Sequence, residues 1–171
     1  WLRHEISDAQ SLEQEIDRIV AVLNAQEFHD LPSIAEAAPL KFISVVWPWV
    51  LKAIEHCSMD AHDFVIGYRS VDSRFPNIDD RYMRREMPFI AAVVAAIKAL
   101  AMDNPEAFRE FLQANRQLEF MPVQRLLAWG LQQLAPHSPS EVLEFLTEDA
   151  RRLVIGTYHD VHADSNRLIR I

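Results

Sequence analysis

Four prolines, Pro88, Pro105, Pro122 and Pro139, recur every 17 residues and cut the second half of the chain into helix-length pieces. Proline lacks an amide hydrogen and holds φ near the helical value, so it suits the first turn of a helix and disrupts its interior. The pieces repeat in pairs. Laid over residues 121–154, residues 87–120 match at Met87/Met121, Pro88/Pro122, Leu100/Leu134, Ala101/Ala135, Pro105/Pro139, Glu110/Glu144, Phe111/Phe145 and Leu112/Leu146, eight identities in 34. Unrelated segments of ordinary composition share about two. A period of this size marks stacked helical hairpins. The predicted fold is therefore all-α, an α-solenoid of antiparallel hairpins forming one module over residues 1–171.

Local signals place the helices. A first helix is predicted over Ser7–Phe28, with Leu12, Ile16, Ile19, Val20 and Leu23 on one stripe and Ser7/Gln10 as a capping box. Ser33 and Glu36 signal a second, short start. A third helix begins near Pro39 and carries Leu40, Ile43, Val46, Trp47, Val50, Leu51 and Ile54 on one face, with Pro48 inside it as a source of a kink. Asn104 before Pro105, and Ser138-Pro139-Ser140-Glu141, read as N-caps. Within each repeat the first helix is the more apolar, and the short connections make each pair antiparallel.

Residues 59–87 break this rhythm. Eleven of those 29 residues are charged, and Phe75-Pro76-Asn77 reads as a turn. A long irregular segment inside a helical array is a candidate working surface. Trp47-Pro48-Trp49 is the other, because adjacent helical residues point about 100° apart and the two indoles cannot share a face on a regular helix. The candidate partner-binding residues are Trp47, Trp49, Arg69, Arg74, Phe75 and Tyr82.

The repeat, the Ala38-Pro39-Leu40-Lys41-Phe42-Ile43 to Trp47-Pro48-Trp49 helix and the stretch Phe145–Gly156 resemble the HEAT-like helical-repeat regions of large bacterial P-loop ATPases of the STAND type, including proteins of phage defence. The likeness spans roughly residues 35–170. It implies an α-solenoid that recognises a partner or trigger, with any ATPase activity outside this segment. No residue here matches an ATPase motif, and Gly67, Gly130 and Gly156 stand too far apart for a phosphate loop. The tetratricopeptide period is also 34, but its Trp, Leu-Gly and Tyr signature is missing.

Charge and composition narrow the partners. The formal charge is −8, and residues 1–60 hold ten acids against Arg3, Arg18, Lys41 and Lys52. Such a surface repels phosphate backbones, so no nucleic acid is expected. Arg84-Arg85, Arg109, Arg116, Arg125 and Arg151-Arg152 alternate with acids and read as solvated helix faces. No apolar run reaches the ~20 residues of a membrane helix. The single cysteine, Cys57, gives no disulfide and fits a cytoplasmic setting. Trp1 at the front and Leu168, Ile169 and Ile171 at the back suggest a piece of a larger protein, prone to self-association.

Chemistry finds weak footholds. His29-Asp30, His62-Asp63 and His159-Asp160-Val161-His162 offer metal ligands, and an all-α, HD-like metal-dependent phosphohydrolase built on His29, His62, Asp63, His159 and His162 is the alternative reading. His62-Asp63 has no helical frame, and Asp164-Ser165 reads as the cap of a last helix, which leaves His159 and His162 in a loop. Cys57 beside His56 lacks a base placed across space. The preferred reading is a non-enzymatic scaffold without a cofactor that binds a protein partner or neighbouring regions of its own chain.

Overall fold

A computed structural model of the chain describes residues 12–25, 27–28, 30–59, 67–76, 87–156 and 163–170. Among these it is all-helical: α1 (Leu12–Leu23), α2 (Leu31–Ala37), α3 (Pro39–His56), α4 (Pro88–Asp103), α5 (Pro105–Asn115), α6 (Met121–Leu134), α7 (Pro139–Glu148), a 3-10 turn (Ala150–Val154) and α8 (Ala163–Ile169). Each of the four spaced prolines falls in a first helical turn. Asn104 caps α5 as expected, its Oδ1 accepting from the Ala107 amide at 3.2 Å. Ser138 precedes α7 but makes no side-chain cap bond; the Glu141 carboxylate expected to complete that box pairs with Arg109 while staying within reach of the Ser138 side chain.

The front of the chain departs from expectation in detail. α1 stops at Leu23, short of Phe28, because the Asn24 side chain donates to the Val20 carbonyl and to Arg74 O, both at 2.9 Å, and so closes the last turn. The expected cap at Ser7 lies outside the described residues. α2 begins at Leu31 with Pro32 in its first turn, so Ser33 and Glu36 are helix interior and not a start. α3 runs through Pro48 as one helix. Pro48 deprives the Ser44 carbonyl of its helical donor, and both residues are exposed, where water can replace the lost bond.

α4 and α6 form the centre. Eleven of the sixteen residues of α4 and twelve of the fourteen of α6 are buried, as expected of helices enclosed on all sides. α2 and α3 lie on α4, α4 lies on α6, and α6 carries α8 on its far side; α1 covers α3. α5 and α7 are amphipathic and turn Phe108 and Leu112, and Val142, Phe145 and Leu146, inward. Gly130 lets α5 approach α6. A Cβ there would stand 2.2 Å from Phe108 Cε2 and 3.1 Å from Ile97 Cγ2.

The polar sides of α5 and α7 meet in register. Arg109 Nη2 donates to Glu141 Oε1 at 2.9 Å, and seven residues later Arg116 Nε donates to Glu148 Oε2 at 2.9 Å. Both steps advance along both helices, so α5 and α7 run parallel. Arginines read as solvated are therefore partly spent inside the fold: Arg116, Arg125 and Arg152 are buried, and Arg109 and Arg151 join ion pairs. Arg84 and Arg85 lie outside the described residues.

Gly130→Ala tests the close approach. Alanine raises helix propensity by about 1 kcal/mol, but the clash with a fully buried Phe108 ring should outweigh it and lower stability by about 1–3 kcal/mol. Leu127→Ala, at a fully buried site, should cost about 2–5 kcal/mol. Thermal denaturation followed by circular dichroism measures both.

Candidate protein-docking surface

Of the candidate binding residues, the structure brings some to the surface and takes others into the core. Trp47 is buried, its Nε1 donating to Asn115 Oδ1 at 2.8 Å and its ring standing edge-on to Phe111 with centroids 4.9 Å apart. Phe75 is buried as well. Both side chains pack within the fold and are not available at its surface. Trp49 is half-buried, Arg69 half-buried and Arg74 exposed. Tyr82 lies outside the described residues. So do His29, His62, Asp63, His159 and His162, and among the described residues no group of three or more His, Cys, Asp or Glu is placed to hold a metal ion.

Trp49 lines an apolar groove. Together with Ile19 and Val22 of α1, Val45 and Val46 of α3 and Phe89 of α4 it encloses about 190 Å³. Ser44 connects this space to a second depression between Leu40 and Leu100. Leu40 and Val45 are half-exposed, and Leu40 belongs to the expected apolar stripe of α3, which is thus only partly covered. Lys52 Nζ lies 5.1 Å from the Trp49 ring and 3.5 Å from Glu15 Oε1.

The described part of the irregular segment is a strap bound at both edges. Residues 67–76 pair Val71 with Ser58 and Arg69 with Phe120. The Asp72 amide donates to Cys57 O at 2.8 Å, the Arg69 amide to Glu119 O at 2.7 Å, and the Met121 amide to Arg69 O at 2.8 Å. A run expected to be free for partners is thus partly consumed in joining the end of α3 to the start of α6. Nothing in the hydropathy pattern announces this, since its bonds are mostly main-chain and reach over long sequence separations.

Two clasps hold the strap. Arg74 pairs with Asp72 at 2.7 Å, holding that carboxyl below its ordinary range. At the other end Gly67 adopts φ +95° beneath Arg151, whose Nη1 donates to Gly67 O at 2.9 Å; a Cβ at 67 would meet Arg151 Cδ at 2.4 Å. Tyr68 OH donates to Asp149 Oδ2 at 2.9 Å, and Arg151 lies over the Tyr68 ring at 4.5 Å. The Arg151 guanidinium, helped by Tyr68, holds Asp149 down at about 2. Burial, then the hydrogen bond to Asp149, pushes Tyr68 up to about 12. Cys57 is buried and its thiol is pushed up, by burial first, which makes it a poor nucleophile.

A second polar cluster anchors α8. Asp164 is buried and accepts from Arg125 Nε and Trp129 Nε1, each at 2.7 Å. Ser165 Oγ accepts from the Ile155 amide at 2.7 Å and donates to Arg152 O at 2.9 Å. The sequence pattern predicts a helix cap at Asp164 and Ser165. They lie inside α8 and fasten it to α6 and the 3-10 turn. Leu168 is buried, whereas Ile169 is exposed.

No family model, curated protein or solved structure matches the chain. Among the described residues no helix is long and apolar enough to cross a membrane.

The clasp has a pH signature. A carboxyl depressed in the folded state stabilises the fold at pH values above its unfolded pKa, about 3.9, and that contribution is lost as pH falls through about 2. Asp149→Asn should therefore be less stable than wild type at neutral pH, with the difference closing between about pH 4 and 2. Denaturant titrations across that range measure it. A gap that does not change with pH would place the depressed carboxyl elsewhere.

Proposed function

We propose that the chain is a non-enzymatic helical-repeat scaffold, a HEAT-like α-solenoid that holds a protein partner or a neighbouring region of its own polypeptide. The observation that carries the reading is the parallel register of α5 and α7, fixed by Arg109–Glu141 and Arg116–Glu148. In a stack of hairpins the second helices of successive units must run the same way, side by side. The matched proline starts of both units and the succession α4, α6, α8 support it. The resemblance to repeat regions of large STAND-type ATPases fits a place in a multidomain bacterial protein of the cytoplasm, with phage defence as one setting.

The groove around Trp49 is the working surface on this reading, and the exposed Arg74 lies on the strap that follows α3. Apolar concavities with an aromatic wall anchor partner side chains, and tryptophan is among the residues that dominate such contacts. Trp47 has no part in it, being bonded to Asn115.

A photoreactive amino acid in place of Trp49 tests the proposal in the producing cell. Cross-linking to a polypeptide, lost on Val45→Glu while helicity and melting temperature stay nearly unchanged, is the expected outcome. Stoichiometric bound metal with phosphate-ester hydrolysis, abolished by His62→Ala, would replace the scaffold by the HD-like enzyme.

A further inference from the structure

We propose that His56 is a proton-operated latch: uncharged, it holds the Arg74 end of the strap, and protonated, it releases Arg74 and turns to Asp17 of α1. The inference goes beyond the scaffold reading and does not depend on it.

One ring nitrogen faces two opposite charges. His56 Nε2 stands 3.4 Å from Arg74 Nη1 and 3.8 Å from Asp17 Oδ1. A guanidinium has donors only, so the contact with Arg74 requires a lone pair on Nε2 and therefore the neutral ring with its proton on Nδ1. A proton added to Nε2 takes that lone pair. The same nitrogen then carries a donor and a charge, which Arg74 repels and the Asp17 carboxylate attracts. The two contacts exclude each other, and histidine is the side chain whose charge changes between about pH 5 and 8. Among the described residues, the other charged or titratable groups close to the ring are engaged or turned away. On the strap Asp72 holds Arg74 at 2.7 Å. On α3 itself Lys52 reaches Glu15 of α1 at 3.5 Å, the Cys57 thiol is buried and Glu55 is exposed.

What the latch governs follows from its position. The Arg74 carbonyl accepts from Asn24 Nδ2 at 2.9 Å, so the same end of the strap also binds the end of α1, and α1 gives Ile19 and Val22 to the wall of the Trp49 groove. The opposite end of the strap does not titrate in this range. There Asp149 is held down at about 2, Tyr68 is pushed up to about 12, and Arg151 donates to Gly67 O. Acid thus loosens one end and leaves the other fixed. Two main-chain bonds lie beside the latch and open with it: the Asp72 amide donates to Cys57 O at 2.8 Å and the Met59 amide to Ser70 O at 3.0 Å. The Arg69 amide, bonded to Glu119 O at 2.7 Å, belongs to the fixed end.

Amide hydrogen exchange of the 171-residue chain, followed by NMR across the histidine range, tests the proposal. Protection factors divide out the intrinsic pH dependence of exchange. From about pH 8 to 5, those of the Asp72 and Met59 amides should fall about two- to fivefold, the size of one exposed charge contact, while that of Arg69 stays constant. In His56→Gln, which takes up no proton, the fall should vanish. In Asp17→Asn it should move to lower pH, because the protonated ring has lost its partner. Ring-nitrogen chemical shifts of wild type at the alkaline end should place the neutral ring's proton on Nδ1, the His56 signals being those missing from His56→Gln. A neutral ring with its proton on Nε2 overturns the proposal without any variant. So does protection that is flat across the range, a fall that Arg69 shares equally, one that persists in His56→Gln, or one that Asp17→Asn leaves in place.

Discussion

Arg152 is the side chain on which the C-terminal half depends. It is 1% exposed. One Nη donates to the Phe145 carbonyl at 2.8 Å and also meets Glu148, while the other donates to the Arg116 carbonyl at 2.6 Å. The guanidinium also lies 4.2 Å from the centre of the Phe145 ring. It thereby satisfies carbonyls at the C-terminal ends of α5 and α7 that no helical amide can reach, and it places a cation where both helix dipoles favour one. Glu148, shared by Arg116 and Arg152, is held below the usual carboxylate range by Arg152 first and then Arg116. Arg152 Nε has no acceptor among the described residues, so the burial is not fully compensated. Removing Arg152 leaves the buried Phe145 carbonyl without this donor, a loss of about 1–3 kcal/mol.

From that node the polar contacts spread outward in order. Its neighbour Arg151 fixes Asp149 and Gly67 and so brings in the strap; Ser165 takes the Arg152 carbonyl and brings in α8. Apolar burial supplies the bulk of the stability, but it is non-directional. The arginine contacts decide which helix lies beside which, and in what sense. The functional consequence is a rigid frame whose chemistry is turned inward. Among the described residues the exposed apolar relief includes the mouth of the Trp49 groove, Ile34 and Met102, and Leu143, Leu153 and Ile169.

Much of this was legible in the residues. Pro88, Pro105, Pro122 and Pro139 mark helix starts because proline chemistry is local, and Asn104 caps α5 for the same reason. Helical geometry says that Trp47 and Trp49 face different ways; that Trp47 is the buried one depends on its bond to Asn115, 68 residues away. What escaped is tertiary. Arg116, Arg125 and Arg152 look like solvated cations in a charged run, and the partners that bury them lie 32, 39 and 36 residues away, beyond the reach of helical periodicity. The strap at 67–76 hid in the same way, since its ties are main-chain bonds and a Tyr–Asp pair 81 residues apart. Ser138 shows the reverse error: its cap motif is present, yet its side chain makes no cap bond.

The central claim is that successive units lie side by side in one direction. Spin labels at the exposed positions Glu106, Gln113, Ser140 and Thr147 report it directly. Glu106 and Ser140 are equivalent in the repeat, as are Gln113 and Thr147. Pulsed dipolar spectroscopy should give similar distances for the two equivalent pairs, both shorter than the crossed pairs 106–147 and 113–140. Crossed distances shorter than the equivalent ones would mean that α5 and α7 run in opposite directions, and the stacked-unit account would be wrong.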